Sequence, residues 1–341
     1  MRAVLVEQPG RARLTELSTP EAGHGEVLVR VAAAGICGSD VELLGGSRPA
    51  SYVRYPIVPG HEWAGIIVQI GTGVRGLATG DRVVAEGFRS CGECERCREG
   101  HTNLCRADYA ETGFTHQGAF AELVCVPARL VHRLPADADL EAAALLEPAA
   151  CVVCGLLEAE LRPGLSIAVV GAGTLGLLAV CVLRLTSPSR LVLVGSRETR
   201  LALGRRLGSD ETFDIHGTRS ISPLENHFDL VFEAGNRPEA AATALSLARR
   251  GGTVILEGIS GIGPPVNTAD AITLKHLRVQ GIFGASSLAW TRAVDLFASG
   301  RLAFADLISH RFPLDRYESA FQTVQDRQSG AIKVELLPAP S

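Results

Sequence analysis

"LSIAVVGAGTLGLLAVCVL", residues 165–183, carries no charged side chain over a length close to what a bilayer span requires. Three glycines and a threonine interrupt it at 171–176, where a strand turning into a helix is the more natural reading. The motif Gly171, Gly173, Gly176, enclosing Thr174 and Leu175, follows the apolar run "SIAVV" and opens a helical pattern. That setting turns a weak GxGxxG pattern into a dinucleotide signal. The glycines permit a tight turn and close backbone approach, and the helix N-terminus receives a pyrophosphate. The stretch predicts a soluble nucleotide-binding unit with no membrane span.

Outward from it, strand-like and helix-like segments alternate. "RLVLVGS" is followed by "TRLALGRRLG", and "FDLVFEAG" by "PEAAATALSLARRGG", before "TVILEGI" and "LRVQGIFG". Such alternation predicts an α/β fold with a doubly wound parallel sheet. Residues 1–135 read differently: short β-like runs ("RAVLVE", "EVLVRVAAAG", "WAGIIVQIG", "DRVVAE", "AFAELVCVP") punctuated by Gly and Pro predict a partly open barrel. Three segments follow: 1–148, 149–283 and 284–341, the last returning to the first domain.

The 341-residue length suits two domains, and 46% apolar with 21% charged residues is ordinary globular composition. A net charge of -4, a pI near 6.2 and the absence of basic runs argue against nucleic-acid or anionic-membrane partners. "MRAVLVEQPGRARL" has no apolar core of a secretory signal, so a cytoplasmic location is expected. Nine cysteines in that setting point to metal or thiol chemistry rather than disulfides.

"CGECERCREGHTNLC", within a lobe at 88–106, spaces Cys91, Cys94, Cys97 and Cys105 as C-x2-C-x2-C-x7-C. Two-residue gaps let thiolates converge through tight turns, and a fourth closes a tetrahedral site. The residues between them are polar, so these cysteines do not fill a core. Four thiolates leave no open position, which makes this a structural zinc site. A second set is Cys37 in "AGICGSD", His61 and Glu62 in "VPGHEWAG", and Glu147 in "LLEPAA". One thiolate, one imidazole and a carboxylate make an open site of catalytic type. Adjacent residues on a strand face opposite ways, so His61 is the firm ligand. Glu62 joins only if the backbone bends there; otherwise it stands behind the ligands.

About 20 residues past the glycine motif, an NAD site carries an acid for the ribose 2′-hydroxyl. Here Gly195, Ser196 and Arg197 occupy that slot, with Arg200 close by. A hydroxyl and guanidinium groups suit a 2′-phosphate, so NADP(H) is favoured over NAD(H). If the arginines are only solvated helix-start residues, NAD(H) stays open.

Together, "GICGSD", "PGHEWAG", the cysteine lobe, "LLEP", "GAGTLG" and "SHRFPLDRYESAF…KVEL" resemble the zinc-dependent medium-chain dehydrogenase/reductase family. The resemblance implies a GroES-like β-barrel catalytic domain built from both chain ends around an inserted Rossmann domain. It also implies a homodimer or homotetramer and two zinc ions per chain, one catalytic and one structural. Cys37, His61 and Glu147 or Glu62 would hold the catalytic zinc, and Ser39 would begin a proton relay from the alcohol. "GSR" at 195–197 is similar to the NADP turn of bacterial secondary-alcohol members, although their adenosine-side tyrosine falls on Ile215 here. Glu147 in place of a cysteine resembles the polyol, sugar and threonine dehydrogenase branches. "PGHEW" and "GFTHQGAFAE" are similar to 2-deoxy-scyllo-inosamine dehydrogenases.

The expected reaction is hydride transfer between a secondary alcohol or ketone and the nicotinamide, with a polyol, sugar or aminocyclitol as substrate. L-Threonine and simple secondary alcohols are the alternatives, and a non-catalytic NADP-binding protein is the alternative of another class. Asp40, Glu42 and Glu147, as carboxylates near the site, favour hydroxyl-rich or amine-bearing substrates over anionic ones. Glu42 falls where many relatives place a relay histidine. It is read either as a proton-exchanging or substrate-contacting group, or as a solvated helix acid. Cys151 and Cys154 are read as helix residues packed in the interior.

Overall fold

The structure, a computed structural model, describes residues 1–217, 220–259, 269–302 and 304–338. The chain divides into two compact units, residues 1–150 with 285–341, and residues 151–284.

In the first unit, β1 (Arg2–Gln8) and β2 (Arg11–Glu16) form an antiparallel ribbon. The sheet is organised by β3 (Glu26–Ile36), whose Val- and Ala-rich sequence is buried along most of its length, as a central strand demands. It pairs antiparallel with β4 (Glu62–Ile70), which continues through β5 (Arg82–Ala85). β6 (Leu123–Pro127) also pairs with β3, and β7 (Val131–Arg133) pairs with β5.

The second unit is a six-stranded parallel sheet of β8 (Ser166–Val170), β9 (Arg190–Gly195), β10 (Glu211–Asp214), β11 (Phe228–Glu233), β12 (Ala248–Leu256) and β13 (Arg278–Gly281). Its spatial order is β10-β9-β8-β11-β12-β13, so the winding reverses between β8 and β11. Helices Thr174–Arg184, Glu198–Leu207 and Pro238–Leu247 supply crossovers. The run "PEAAATALSLARRGG" is helical only to Leu247, and its last residues open β12. The Lys275 ammonium ends the helix there by donating to the carbonyls of Leu245, Ser246 and Ala248 at 2.8, 2.9 and 3.0 Å.

Past the helix Ser287–Ala298, the chain adds β14 (Ile308–Pro313) and β15 (Lys333–Leu337) to the first unit. β15 lies antiparallel to β3 and parallel to β14. The first unit's core gathers side chains from β3, β4, β6 and β15 around Trp63, Phe120 and Phe321. Among the described residues no helix is long and apolar enough to cross a membrane.

Candidate active site and metal centres

Cys37 is the N-cap of the helix Gly38–Gly45, and Asp40 closes its first turn. Asp40 Oδ2 accepts from the Cys37 backbone N–H at 2.9 Å, and Oδ1 lies 3.5 Å from His61 Nδ1. One carboxylate, with no exposed surface, thus fixes both residues. Asp40 thus lies near the site, with its oxygens directed at Cys37 and His61.

Gly60 adopts φ +97°, and a Cβ there would sit 2.5 Å from the Phe120 ring. The bend keeps His61 outside β4, which begins at Glu62, so strand alternation does not separate the two residues. Cys37, His61 and Glu62 each bring a ligand atom within 4.8 Å of the other two. Burial disfavours charge on His61, yet the charges of Asp40 and Glu147 and hydrogen bonds with Asp40 and Cys37 outweigh it and hold the imidazole well above its usual range. A buried nitrogen base facing this much negative charge suits a dication.

Ser39 Oγ donates to Cys37 Sγ at 3.2 Å. Glu62 Oε2 is ion-paired with Lys333 Nζ of β15, and both side chains are buried. Glu147 opens the helix Leu146–Leu157 and acts through its charge on His61, Lys333 and Glu111. Glu42 lies half-buried on the Gly38–Gly45 helix, outside the cluster of Cys37, His61 and Glu62.

Sequence reasoning missed a neighbouring group. Glu111 is buried, accepts from the Tyr109 hydroxyl and lies 3.6 Å from Arg48. Burial pushes its carboxyl up to about 7. The Arg48 guanidinium sits 3.7 Å from the Phe114 ring centre, and Phe114 packs on His61 at 4.8 Å. Nothing in the spacing of these residues ties them to Cys37; only the fold gathers them.

In the lobe, the sulfurs of Cys91, Cys94, Cys97 and Cys105 also lie within 4.8 Å of one another. Cys91 and Cys97 are 3.9 Å apart, near the ~3.8 Å edge of a tetrahedron with 2.3 Å zinc–sulfur bonds. Backbone N–H groups of Glu93 and Cys94 point at Cys91, that of Arg106 at Cys94, and those of Cys91 and Ala107 at Cys105. N–H donation lowers Cys94 to about 6, while burial drives Cys97 up to about 12. A bound cation would balance the charge of four thiolates there.

In the second unit the three motif glycines have separate reasons. Gly171 has φ +107°, and a Cβ would lie 2.8 Å from the Ala234 carbonyl. At Gly176 a Cβ would collide with the Gly171 carbonyl, whereas at Gly173, the N-cap of the Thr174–Arg184 helix, it would meet no described atom within 4 Å. Such room at a helix N-terminus fits a pyrophosphate approach. Thr174 and Leu175 form the first turn. At the end of β9 stands Gly195, then Ser196, and Arg197 as N-cap of Glu198–Leu207. Glu198 is paired with Arg205. Burial and then Arg197 lower Arg200 to about 10, so an anion is favoured beside them.

Two family models match the chain: the alcohol dehydrogenase GroES-like domain over residues 23–136 and the zinc-binding dehydrogenase domain over residues 174–299. It is 34% identical over 334 residues to an L-threonine 3-dehydrogenase of Bacillus subtilis (strain 168), covering 96% of this chain and 95% of that one. The chain belongs to the zinc-binding alcohol dehydrogenase family. Among solved structures, this dehydrogenase is similar to a zinc-binding dehydrogenase of Sinorhizobium meliloti 1021 bound to NADP, with TM-score 0.90 and 32% identity over 99% of each chain. It is also similar to galactitol-1-phosphate dehydrogenase of Escherichia coli, with TM-score 0.90 and 27% identity over 99% of this chain and 100% of that one. As a member of this family, it is a zinc-dependent oxidoreductase acting on CH–OH groups.

Proposed function

We propose that this dehydrogenase transfers hydride between NADP(H) and a secondary alcohol or ketone of the polyol, sugar or aminocyclitol class. The observation that carries the reading is the convergence of Cys37, His61 and Glu62 beside the Ser39 hydroxyl. Cys37 and His61 hold a zinc ion with Glu62 or Glu147 as carboxylate ligand, and the four lobe cysteines hold a second. Zinc in the first site supplies Lewis acidity toward the alcohol or carbonyl oxygen. Asp40 keeps the Cys37 backbone and the His61 ring in place. Ser39 takes the alcohol proton and hands it toward solvent. The Gly171–Gly176 turn receives the pyrophosphate, while Ser196, Arg197 and Arg200 receive the 2′-phosphate.

NADP(H) is supported by Gly195, Ser196 and Arg197 in place of an acid, by Arg200 beside Arg197, and by NADP in the S. meliloti relative. A second reading, oxidation of L-threonine, is favoured by the B. subtilis relative. Steady-state rates on polyols, aminocyclitols, L-threonine and simple secondary alcohols, each with NAD and NADP, decide between them. Zinc analysis accompanies the panel. Two ions per chain support the site as described; one ion, or cofactor binding without turnover on any substrate, overturns it.

A further inference from the structure

Glu335 on β15 has no exposed surface, and neither carboxylate oxygen has a hydrogen-bond partner among the described residues. A buried acid left this way calls for an explanation. Its surroundings supply one. Across the sheet, Glu62 of β4 is paired with Gly35 of β3, and Gly35 with Glu335 of β15. Directly opposed residues share a face, so the two acids flank a position that has no side chain. Lys333, two residues before Glu335 on the same strand, shares that face too. Its chain crosses the gap: a Cβ on Gly35 would collide with Glu62 Oε2 and lie 3.3 Å from Lys333 Cδ.

Lys333 Nζ donates to Glu62 Oε2 and to the Ile36 carbonyl at 3.4 Å. An ammonium has three protons, so one donor is left. We propose that Glu335 is a second seat for Lys333, which lets the ammonium leave Glu62 without becoming an unpaired buried charge. Glu335 is then a positioning residue: it frees the Glu62 carboxylate to reach the metal held by Cys37 and His61. This role rests on the metal reading above.

The other charges around Glu335 fit a waiting seat. Arg311 is its register partner on β14, but that guanidinium is bonded at 2.5 Å to Glu141 of the helix Leu140–Ala144. Burial pushes Glu335 up to about 8, with Glu141 and Glu62 adding to the rise while Lys333 and Arg311 oppose it. A charge on Glu335 is thus poorly compensated while Lys333 stays on Glu62.

The test is a stability cycle on zinc-loaded protein with Glu62→Gln, Glu335→Gln and both together. Each acid covers for the other, so each single change lowers the thermal midpoint modestly. The double variant falls by more than the two single shifts combined, or fails to fold. Adding Lys333→Met to the double variant restores it, because no buried ammonium then needs a partner. Additive shifts, a Glu62→Gln protein that does not fold, or no rescue by Lys333→Met would each overturn the proposal. A second readout follows Glu62 itself. Release of the more labile zinc to a chromogenic chelator quickens about tenfold in Glu335→Gln, because Glu62 then stays on Lys333, while release from the cysteine lobe is unchanged; equal release of the labile zinc counts against the role at the metal. A single zinc per chain would defeat the metal reading instead, and the stability cycle would still judge the seat.

Discussion

Ser39 Oγ lies 3.2 Å from Cys37 Sγ and donates to it, placing a hydroxyl proton beside the sulfur. A hydroxyl so placed can hold a proton that moves during turnover. Ser39→Ala is expected to lower kcat about 100-fold, the range for a positioned proton-transfer group. Zinc content measured in parallel should stay at the wild-type value. Unchanged turnover would remove Ser39 from the proton path.

Gly35 has a steric role, because Lys333 and Glu62 meet over it. Gly35→Ala should displace the buried pair and cost about 1–3 kcal/mol, the range for overpacking a filled interior. Urea unfolding provides the measurement. Loss of zinc from the Cys37 site is expected to accompany it.

Removing one lobe sulfur by Cys97→Ser should abolish one zinc per chain and lower the thermal midpoint, since structural zinc contributes directly to folding. The lobe should also release its metal on acidification. Protons compete with the ion for thiolates, and Cys94 holds its charge down to about 6. Zinc affinity therefore falls as the pH drops, and most steeply below that value, where Cys94 too takes up a proton, which a chelator titration would show.

Arg197 and Arg200 are expected to discriminate between cofactors. Arg197→Ser should raise KM for NADP by about 10- to 100-fold, following 1.5–3 kcal/mol for a charged hydrogen bond. KM for NAD should change little. Equal effects on both cofactors would make the arginines solvated helix-start residues.

Glu233, buried at the end of β11, is pushed up to about 7 by burial, despite hydrogen bonds from the Gly235 and Gly258 backbones. The folded protein thus binds this proton more tightly than the unfolded chain, whose carboxyl stays near 4.5. Its contribution is complete below about 4.5 and is lost as the pH rises through about 7. Glu233→Gln should flatten the stability profile across that window by on the order of 1–3 kcal/mol, measured by urea unfolding at several pH values.

The local chain by itself determined the glycine turn, the cysteine lobe and the alternation of strands and helices. Each depends on contacts only a few residues apart: Gly171, Gly173 and Gly176 shape one turn, and the lobe cysteines converge within one loop. The quoted motifs carried the family for the same reason. Capping by Asp40 was legible in principle, because it answers Cys37 three residues on, but its hold on His61 was not. Only tertiary structure decided how Glu62 reaches the Cys37 cluster, through a bend at Gly60 and an ion pair with Lys333, 271 residues away. It alone placed Glu111 within electrostatic reach of His61 and left Glu335 buried beside Lys333. The physical reason is burial: a charge commits to a partner only after the sheet has excluded water around it, and no spacing along the chain encodes which strands will lie side by side.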